Sequence, residues 1–314
     1  MQAWVNGYLA DRYEITGEIG RGGCAVVVEA RDHRLDRMVA IKILKEKNVD
    51  ASARERFLRE ARVAAAIQHP NVCSVTDGGL LADGRPFLVM ERLWGETLRN
   101  TLRRHVQLDP HIAIDLGVQM LSGLEAVHAL GFVHRDLKPD NVFLVQRNGC
   151  MPIVKLLDFG MCRRAETFDE PAFGDDTLTR TGTVVGTPEY MAPEQAGGKR
   201  SFDERIDVYA VGLLLHEALS GERSFVGTDP RAILISVLTK RVAPLSAYRP
   251  DLPPAIERVV ARAMERDPGA RYATARELQA ALLGAKKHLD RRSGEVLRDS
   301  CEIPTRRYSR LAVS

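Results

Sequence analysis

Short runs rich in Val and Ile, broken by Gly, Asp and Arg, fill the first ninety residues and predict strands over Tyr13–Gly20, Val26–Asp32, Met38–Leu44, Val72–Thr76 and Pro86–Met90. One Ala-, Arg-, Glu- and Leu-rich stretch, Ala51 to about Ala66, predicts a helix that stops before His69-Pro70. After Gly95 the period changes to that of helices. Asp109-Pro110 makes an N-cap and first turn, apolar residues recur at Ile112, Leu116, Leu124 and Val127, and Gly131 marks the stop. Further helices are predicted at Asp203–Ser220, Pro230–Leu238, Pro254–Met264 and Thr274–His288. The pattern describes a small β-rich lobe followed by a larger, mostly helical lobe, an α+β arrangement.

Composition excludes several classes without naming one. The 314 residues carry 45 Lys+Arg against 42 Asp+Glu, a formal net charge of +3, with 45% hydrophobic residues, so the chain has the balance of a folded globular protein. No apolar stretch approaches the roughly 20 residues of a membrane span. The longest, Val208 to Leu215, is interrupted by Gly212 and flanked by Asp207 and His216. Met1-Gln2-Ala3-Trp4 lacks a basic and then apolar leader, so no secretory signal is expected. Basic residues concentrate at 285–314, with eight Lys/Arg and four Asp/Glu. A basic end of this kind reads as a solvated tail, and no nucleic-acid partner is expected. Five cysteines, Cys24, Cys73, Cys150, Cys162 and Cys301, never fall in a CxxC pair. They fit reduced thiols in a cytoplasmic protein, without disulfides or structural zinc.

Four segments carry chemistry. The first hairpin turn reads Gly20-Arg21-Gly22-Gly23-Cys24-Ala25-Val26-Val27. Glycines let a backbone approach a phosphate and point N–H groups at it, although a Gly-rich turn by itself is usually no more than a turn. Val39-Ala40-Ile41-Lys42 places a lysine in an apolar strand, where it needs a carboxylate or phosphate. Glu60 is a candidate partner. Downstream stand His134-Arg135-Asp136-Leu137-Lys138-Pro139-Asp140-Asn141 and Asp158-Phe159-Gly160. Two carboxylates and an amide on short loops can hold a divalent ion through oxygen and leave one carboxylate to orient a hydroxyl. Each triplet is common by chance, but the four in this order are not.

With these motifs the chain resembles the eukaryotic-type (Hanks-type) serine/threonine protein kinases, nearest in texture to the bacterial soluble members. The resemblance runs from about Tyr13 to Leu283 and includes Gly186-Thr187-Pro188-Glu189-Tyr190-Met191-Ala192-Pro193-Glu194, Asp207 and Arg271. It implies a bilobal kinase fold with an extension over 1–12, a kinase domain over 13–284 (N-lobe 13–91, hinge 91–95, C-lobe 96–284) and a basic tail over 285–314. It also implies transfer of the γ-phosphate of ATP to Ser/Thr hydroxyls of proteins, with Mg²⁺ or alternatively Mn²⁺.

By the same resemblance Ile19, Gly20, Arg21, Gly22, Gly23, Cys24, Ala25, Val26 and Val27 cover the nucleotide. Lys42, oriented by Glu60, contacts its phosphates. Adenine lies between Val27 and Ala40 above and Phe143 below, with Glu91–Leu93 as hinge and Met90 as gatekeeper. Asn141 and Asp158 hold metal, Asp136 takes the hydroxyl proton, and Lys138 offsets γ-phosphate charge while Thr187 braces both. Glu194 and Arg271 form a buried ion pair that anchors the activation segment, and Asp207 hydrogen-bonds the loop backbone near His134, both architectural roles. Thr179 and Thr181 are the expected autophosphorylation sites, facing Arg135, and a dimer can form during that reaction.

Two other classes share the chemistry. A pseudokinase would lack an equivalent of Lys42, Asp136 or Asp158, and a small-molecule kinase would lack the Asp158–Glu194 segment. Lys138 and Thr187 match the Ser/Thr pattern rather than the Tyr one. Ala25 departs from the G-x-G-x-x-G pattern, so altered nucleotide affinity is expected. Cys24 beside the phosphate site is either an inert turn residue or a thiol of lowered pKa.

Overall fold

The computed structural model describes residues 7–22, 25–45, 64–158, 163–164, 188–198 and 202–293. Alternating apolar positions build an antiparallel sheet of six strands in the order β1-β2-β3-β4-β6-β5: β1 (Tyr8–Leu9), β2 (Tyr13–Arg21), β3 (Ala25–Asp32), β4 (Arg37–Leu44), β5 (Val75–Leu80) and β6 (Pro86–Glu91). Its inner face packs Val26, Val28 and Ala30 of β3 with Val39, Ile41 and Ile43 of β4, and with Tyr13, Phe87 and Val89. This separate core makes the first lobe. The expected strand over Val72–Thr76 begins later, at Val75. Residues 71–73 instead lie along a strand of the second lobe, where Cys73 N donates to Leu156 O (2.9 Å) and Leu156 N to Asn71 O (2.9 Å). Of the expected helix at 51–66, residues 64–66 are helical and the rest falls outside the described residues.

The second lobe is less purely helical than its sequence period suggests. Helices α1 (Leu98–Arg104), α2 (Pro110–His128), α3 (Pro193–Ala196), α4 (Arg205–Ser220), α5 (Pro230–Thr239), α6 (Pro254–Ala263) and α7 (Ala275–Ser293) surround one large core. Against it lie two small sheets, β10-β9-β7 and β11-β8, from β7 (Gly95–Thr97), β8 (Phe132–Val133), β9 (Val142–Arg147), β10 (Cys150–Leu156) and β11 (Arg163–Arg164). None of these five strands was expected. They are short, and β9 and β10 form a local hairpin across Asn148-Gly149, with Cys150 opposite Arg147 and Gly149 at φ 68°, a turn pair that signals a hairpin.

Caps agree with the sequence. Asp109 accepts from the N–H groups of His111 (2.8 Å) and Ile112 (3.3 Å), and Asp229 does the same for α5 with Arg231 (2.9 Å) and Ala232 (3.0 Å). Helix α4 is buried along its whole length from Ile206 to Ser220, which explains why its run lacks an amphipathic period. Helix α7 corrects the expected end of the helical lobe. It continues past His288 to Ser293, with Ala285 and Leu289 in the main core. The first residues of the basic segment are therefore packed helix.

Candidate active site

The two lobes meet where β4 faces the loop after β10. Lys42 on β4 forms an ion pair with Asp158, joining the sheet of one lobe to the strand end of the other. Apolar neighbours Ile41 and Ile43 are buried on the opposite face of β4, so strand alternation aims Lys42 away from that core. Glu60, expected as its partner, lies outside the described residues, as do Gly23, Cys24, Thr179, Thr181 and Thr187.

The loop between β8 and β9 holds the other groups. Lys138 Nζ donates to Asp136 Oδ2 at 2.7 Å. Asn141 Nδ2 donates to the same carboxylate oxygen at 3.0 Å and to Asp136 O at 2.8 Å. Asp136 is thus gripped from two sides, and Asn141 keeps Oδ1 as an acceptor. A 3-10 turn over Pro139–Asn141 brings Asn141 back toward Asp136, and Asn141 O then accepts from Leu157 N at 2.8 Å, one residue before Asp158. Arg135 and Asp158 sit at φ 69° and φ 56°, left-handed conformations that cost on the order of 1 kcal/mol or more for side-chain-bearing residues. Such strain concentrates at sites whose geometry the surroundings over-determine.

What holds Arg135 in that conformation is Asp207 of α4. Its Oδ2 accepts from His134 N at 2.8 Å and its Oδ1 from Arg135 N at 3.0 Å. Burial pushes the Asp207 carboxyl upward, but hydrogen bonds from His128 and the loop amides outweigh it and leave the group below its ordinary range. His128, at the end of α2, donates through Nε2 to Asp207 Oδ2 (2.8 Å), and its Nδ1 stands 3.0 Å from Glu204 Oε2. Burial lowers the imidazole, yet the two carboxylates raise it to about 9. His128 and Glu204 had no sequence signal beyond being polar residues near helix ends.

The residues expected to wall a nucleotide lie on strands of both lobes. In register, β3 and β4 place Val27 opposite Lys42, β4 and β6 place Ala40 opposite Met90, and β9 brings Phe143 opposite Lys155. Ile19, Gly20 and Arg21 end β2, and Ala25 and Val26 begin β3, with Gly22 N donating to Ala25 O at 2.9 Å. Glu91 spends its carboxylate on Ser74 N (2.8 Å) and Lys155 (2.7 Å), and its N–H on Ser74 O (3.0 Å). Leu93 is buried, and its carbonyl accepts from the Arg92 guanidinium. At Gly20 a Cβ would meet nothing within 4 Å, and φ is not left-handed there. The fold itself does not require glycine at this position.

Oxygen donors of this kind could hold a hard divalent cation. Among the described residues no three His, Cys, Asp or Glu side chains form a metal cluster. One carboxylate (Asp158) and one amide oxygen (Asn141) match an ion that takes its remaining ligands from phosphates and water. Beside the site, Arg271 donates both terminal nitrogens to Glu194, each at 2.7 Å, with its side chain fully buried. Arg99 bridges Asp140 (3.2 Å), Glu217 (3.2 Å) and the Tyr190 hydroxyl (3.0 Å), tying α1 to the loop and to α4.

Comparison with known proteins agrees with this geometry. The protein kinase domain family model matches residues 13–282, and the chain belongs to that family. It is 37% identical over 288 residues to the serine/threonine-protein kinase pkn3 of Myxococcus xanthus, covering 90% of this chain and 52% of that one. It is 37% identical over 280 residues to the serine/threonine-protein kinase PknB of Mycobacterium tuberculosis, covering 88% of this chain and 43% of that one. The chain thus spans about half or less of the curated relatives it matches. Among solved structures, the Mycobacterium tuberculosis PknI kinase domain shares the fold with a TM-score of 0.68 at 24% identity, covering 91% of this chain and 100% of that one. Among the described residues no helix is long and apolar enough to cross a membrane.

Proposed function

We propose that the chain is an active serine/threonine protein kinase domain that transfers the γ-phosphate of ATP to Ser or Thr hydroxyls of proteins. The observation that carries this reading is Asp136, held by Lys138 and Asn141 on one loop while the Lys42–Asp158 pair joins the opposite lobe beside it. In this reading Lys42 exchanges its carboxylate partner for nucleotide phosphates, and Glu60 orients it. Asp158 and Asn141 Oδ1 hold Mg²⁺, which neutralises phosphate charge when bound. Asp136 accepts the hydrogen bond of the substrate hydroxyl and takes its proton, and Lys138 meets the charge developing on the transferred group. Thr187 braces Asp136 and Lys138.

Adenine lies between Val27 and Ala40 on one side and Phe143 on the other, with Met90 limiting the rear of the cleft and Glu91–Leu93 as the hinge. The family's use of ATP and the oxygen-only donor set support Mg²⁺, with Mn²⁺ an alternative of the same geometry. A phosphate on Thr179 or Thr181 would pair with Arg135 and order the segment that carries them, in a reaction between two copies. ATP chemistry and, among the described residues, the unpaired thiols of Cys73 and Cys150 support a cytoplasmic location.

The deciding experiment incubates the purified chain with Mg²⁺, γ-labelled ATP and a Ser/Thr peptide pool, beside its Asp136→Asn variant. Label on Ser and Thr in the wild type alone is expected. Equal transfer by both proteins would remove the assignment.

A further inference from the structure

The kinase reading employs Asp136 but does not explain what keeps the loop before it in place. Asp207 accepts the two N–H groups immediately ahead of Asp136, including that of Arg135 in its left-handed conformation. Asp207 is 1% exposed and cannot be reoriented by water. Its Oδ2 is also the acceptor for His128 Nε2 at 2.8 Å, and the other ring nitrogen of His128 stands 3.0 Å from Glu204. The imidazole therefore lies between two carboxylates, Glu204 at the N-cap of α4 and Asp207 in its first turn, while its own chain position is the last residue of α2.

We propose that His128 and Glu204 are positioning residues for phosphotransfer: as a cationic bridge between Asp207 and Glu204, His128 locks the Asp207 carboxylate in the orientation that holds the backbone before Asp136. Neither side chain touches a reacting group. The inference rests on the kinase reading for its effect on turnover, but the coupling is a property of the fold.

The physical reason lies in charge. With a proton on each nitrogen, the ring hydrogen-bonds Asp207 through Nε2 and stands in an ion pair with Glu204 through Nδ1, at 3.0 Å and off the line of a hydrogen bond. Losing the Nδ1 proton would turn a lone pair toward Glu204, a repulsive contact at 3.0 Å. Glu204 would then release the ring, and the ring would no longer fix Asp207. The charged groups facing His128 are Glu204 at the N-cap of α4 and Asp207 within it, and Asp207 also faces His134 of the loop. The two acids act in the same direction and favour the charged ring.

Glu204→Gln tests this, because Glu204 is partly exposed, with 30% of its side chain accessible, and the change keeps its shape. The readouts are the NMR titration of His128, amide hydrogen exchange at His134 and Arg135, and the pH dependence of kcat with KM for ATP measured beside it. Removing one of two adjacent carboxylates should lower the His128 titration by about one pH unit. Exchange at the two amides should quicken, and the alkaline limb of kcat should move down by the same amount while KM for ATP holds. His128→Gln should lower kcat and abolish that limb.

An unmoved His128 titration in Glu204→Gln, or a moved titration with unchanged amide exchange, would overturn the proposal. Absence of turnover in the wild-type chain would count against the kinase reading alone, since titration and exchange still decide the positioning role.

Discussion

Asp136 is the residue on which the chemistry turns, and its setting separates shape from charge. Asparagine keeps the volume and can still accept from Lys138 and Asn141, but it cannot take a proton. Asp136→Asn should lower phosphotransfer by about 10²–10⁴-fold, with the thermal midpoint close to wild type, checked by a peptide assay and calorimetry on one preparation. Arg271 behaves oppositely. It touches no reacting group, yet both its terminal nitrogens satisfy Glu194 inside the lobe. Arg271→Ala would leave the Glu194 carboxylate buried without its partner, which costs about 3–5 kcal/mol. Urea unfolding should show a loss of that order, and a loss below about 1 kcal/mol would mean that water reaches the carboxylate.

Among elements, α7 and the segment before α3 make separable predictions. Ala285 and Leu289 belong to the main core, Lys286 pairs with Asp115, and Asp290 lies 3.5 Å from His111, so the turns of α7 beyond Gly284 fasten to α2. A chain ending at Gly284 should be less stable than one ending at Ser293 by at least the roughly 2 kcal/mol of a buried leucine, read as a shift in denaturation midpoint. Equal midpoints would show that these turns add nothing. For the segment carrying Thr179 and Thr181, incubation with Mg²⁺ and ATP should place phosphate chiefly on these two residues. The reaction should be absent in Asp136→Asn, as followed by mass spectrometry. Full activity of a Thr179→Ala/Thr181→Ala variant with an unmodified segment would mean that activation takes another route.

The elements also show where sequence period is a sound guide. Strands β2, β3, β4 and β6 and helices α2, α4, α5 and α6 stand within one or two residues of their expected bounds, because each carries its own alternation, cap or stop. Strands β9 and β10 form a local hairpin whose Asn148-Gly149 turn the sequence does signal, whereas β7 and β8 are runs of two or three residues that become strands only through partners distant in sequence, such as Gly95 opposite Val145. The end of α7 was misplaced for a related reason. Its Lys and Arg residues read as a solvated tail, while the apolar contacts of Ala285 and Leu289 depend on a core built from other helices.

For the whole molecule, pH stability follows from the His128 bridge. The ring titrates near 6.5 when unfolded and is raised to about 9 when folded. Its contribution is therefore complete below pH 6.5 and fades as pH rises through 9. Linkage puts the contribution on the order of 3 kcal/mol. Asp207 acts at the other end: its folded value is depressed, so its contribution is present above its ordinary range and is lost as pH falls. Chemical denaturation at fixed pH steps should give a plateau near neutrality that declines above pH 7 and has a reduced alkaline slope in His128→Gln. The same slope in both proteins would show that the ring does not titrate as the bridge requires.

Residue types and their order determined much of this protein. Four motifs in sequence declared the chemistry, because a lysine in an apolar strand, a glycine turn and carboxylates on short loops are informative wherever they lie in space. What tertiary structure alone decided is which groups meet. The sequence pointed to Glu60, outside the described residues, as the partner of Lys42, and the fold adds a contact it did not signal, Lys42 with Asp158 across the lobes. The resemblance implied that Asp207 bonds the loop backbone near His134, which the fold bears out at two amides, but only packing of α4 under the loop reveals His128 as its further partner. Local pattern is written in neighbours a few residues apart. Electrostatic partnership between α2, α4 and a loop is set by the distance at which three separate segments come to rest, and no period along the chain records it.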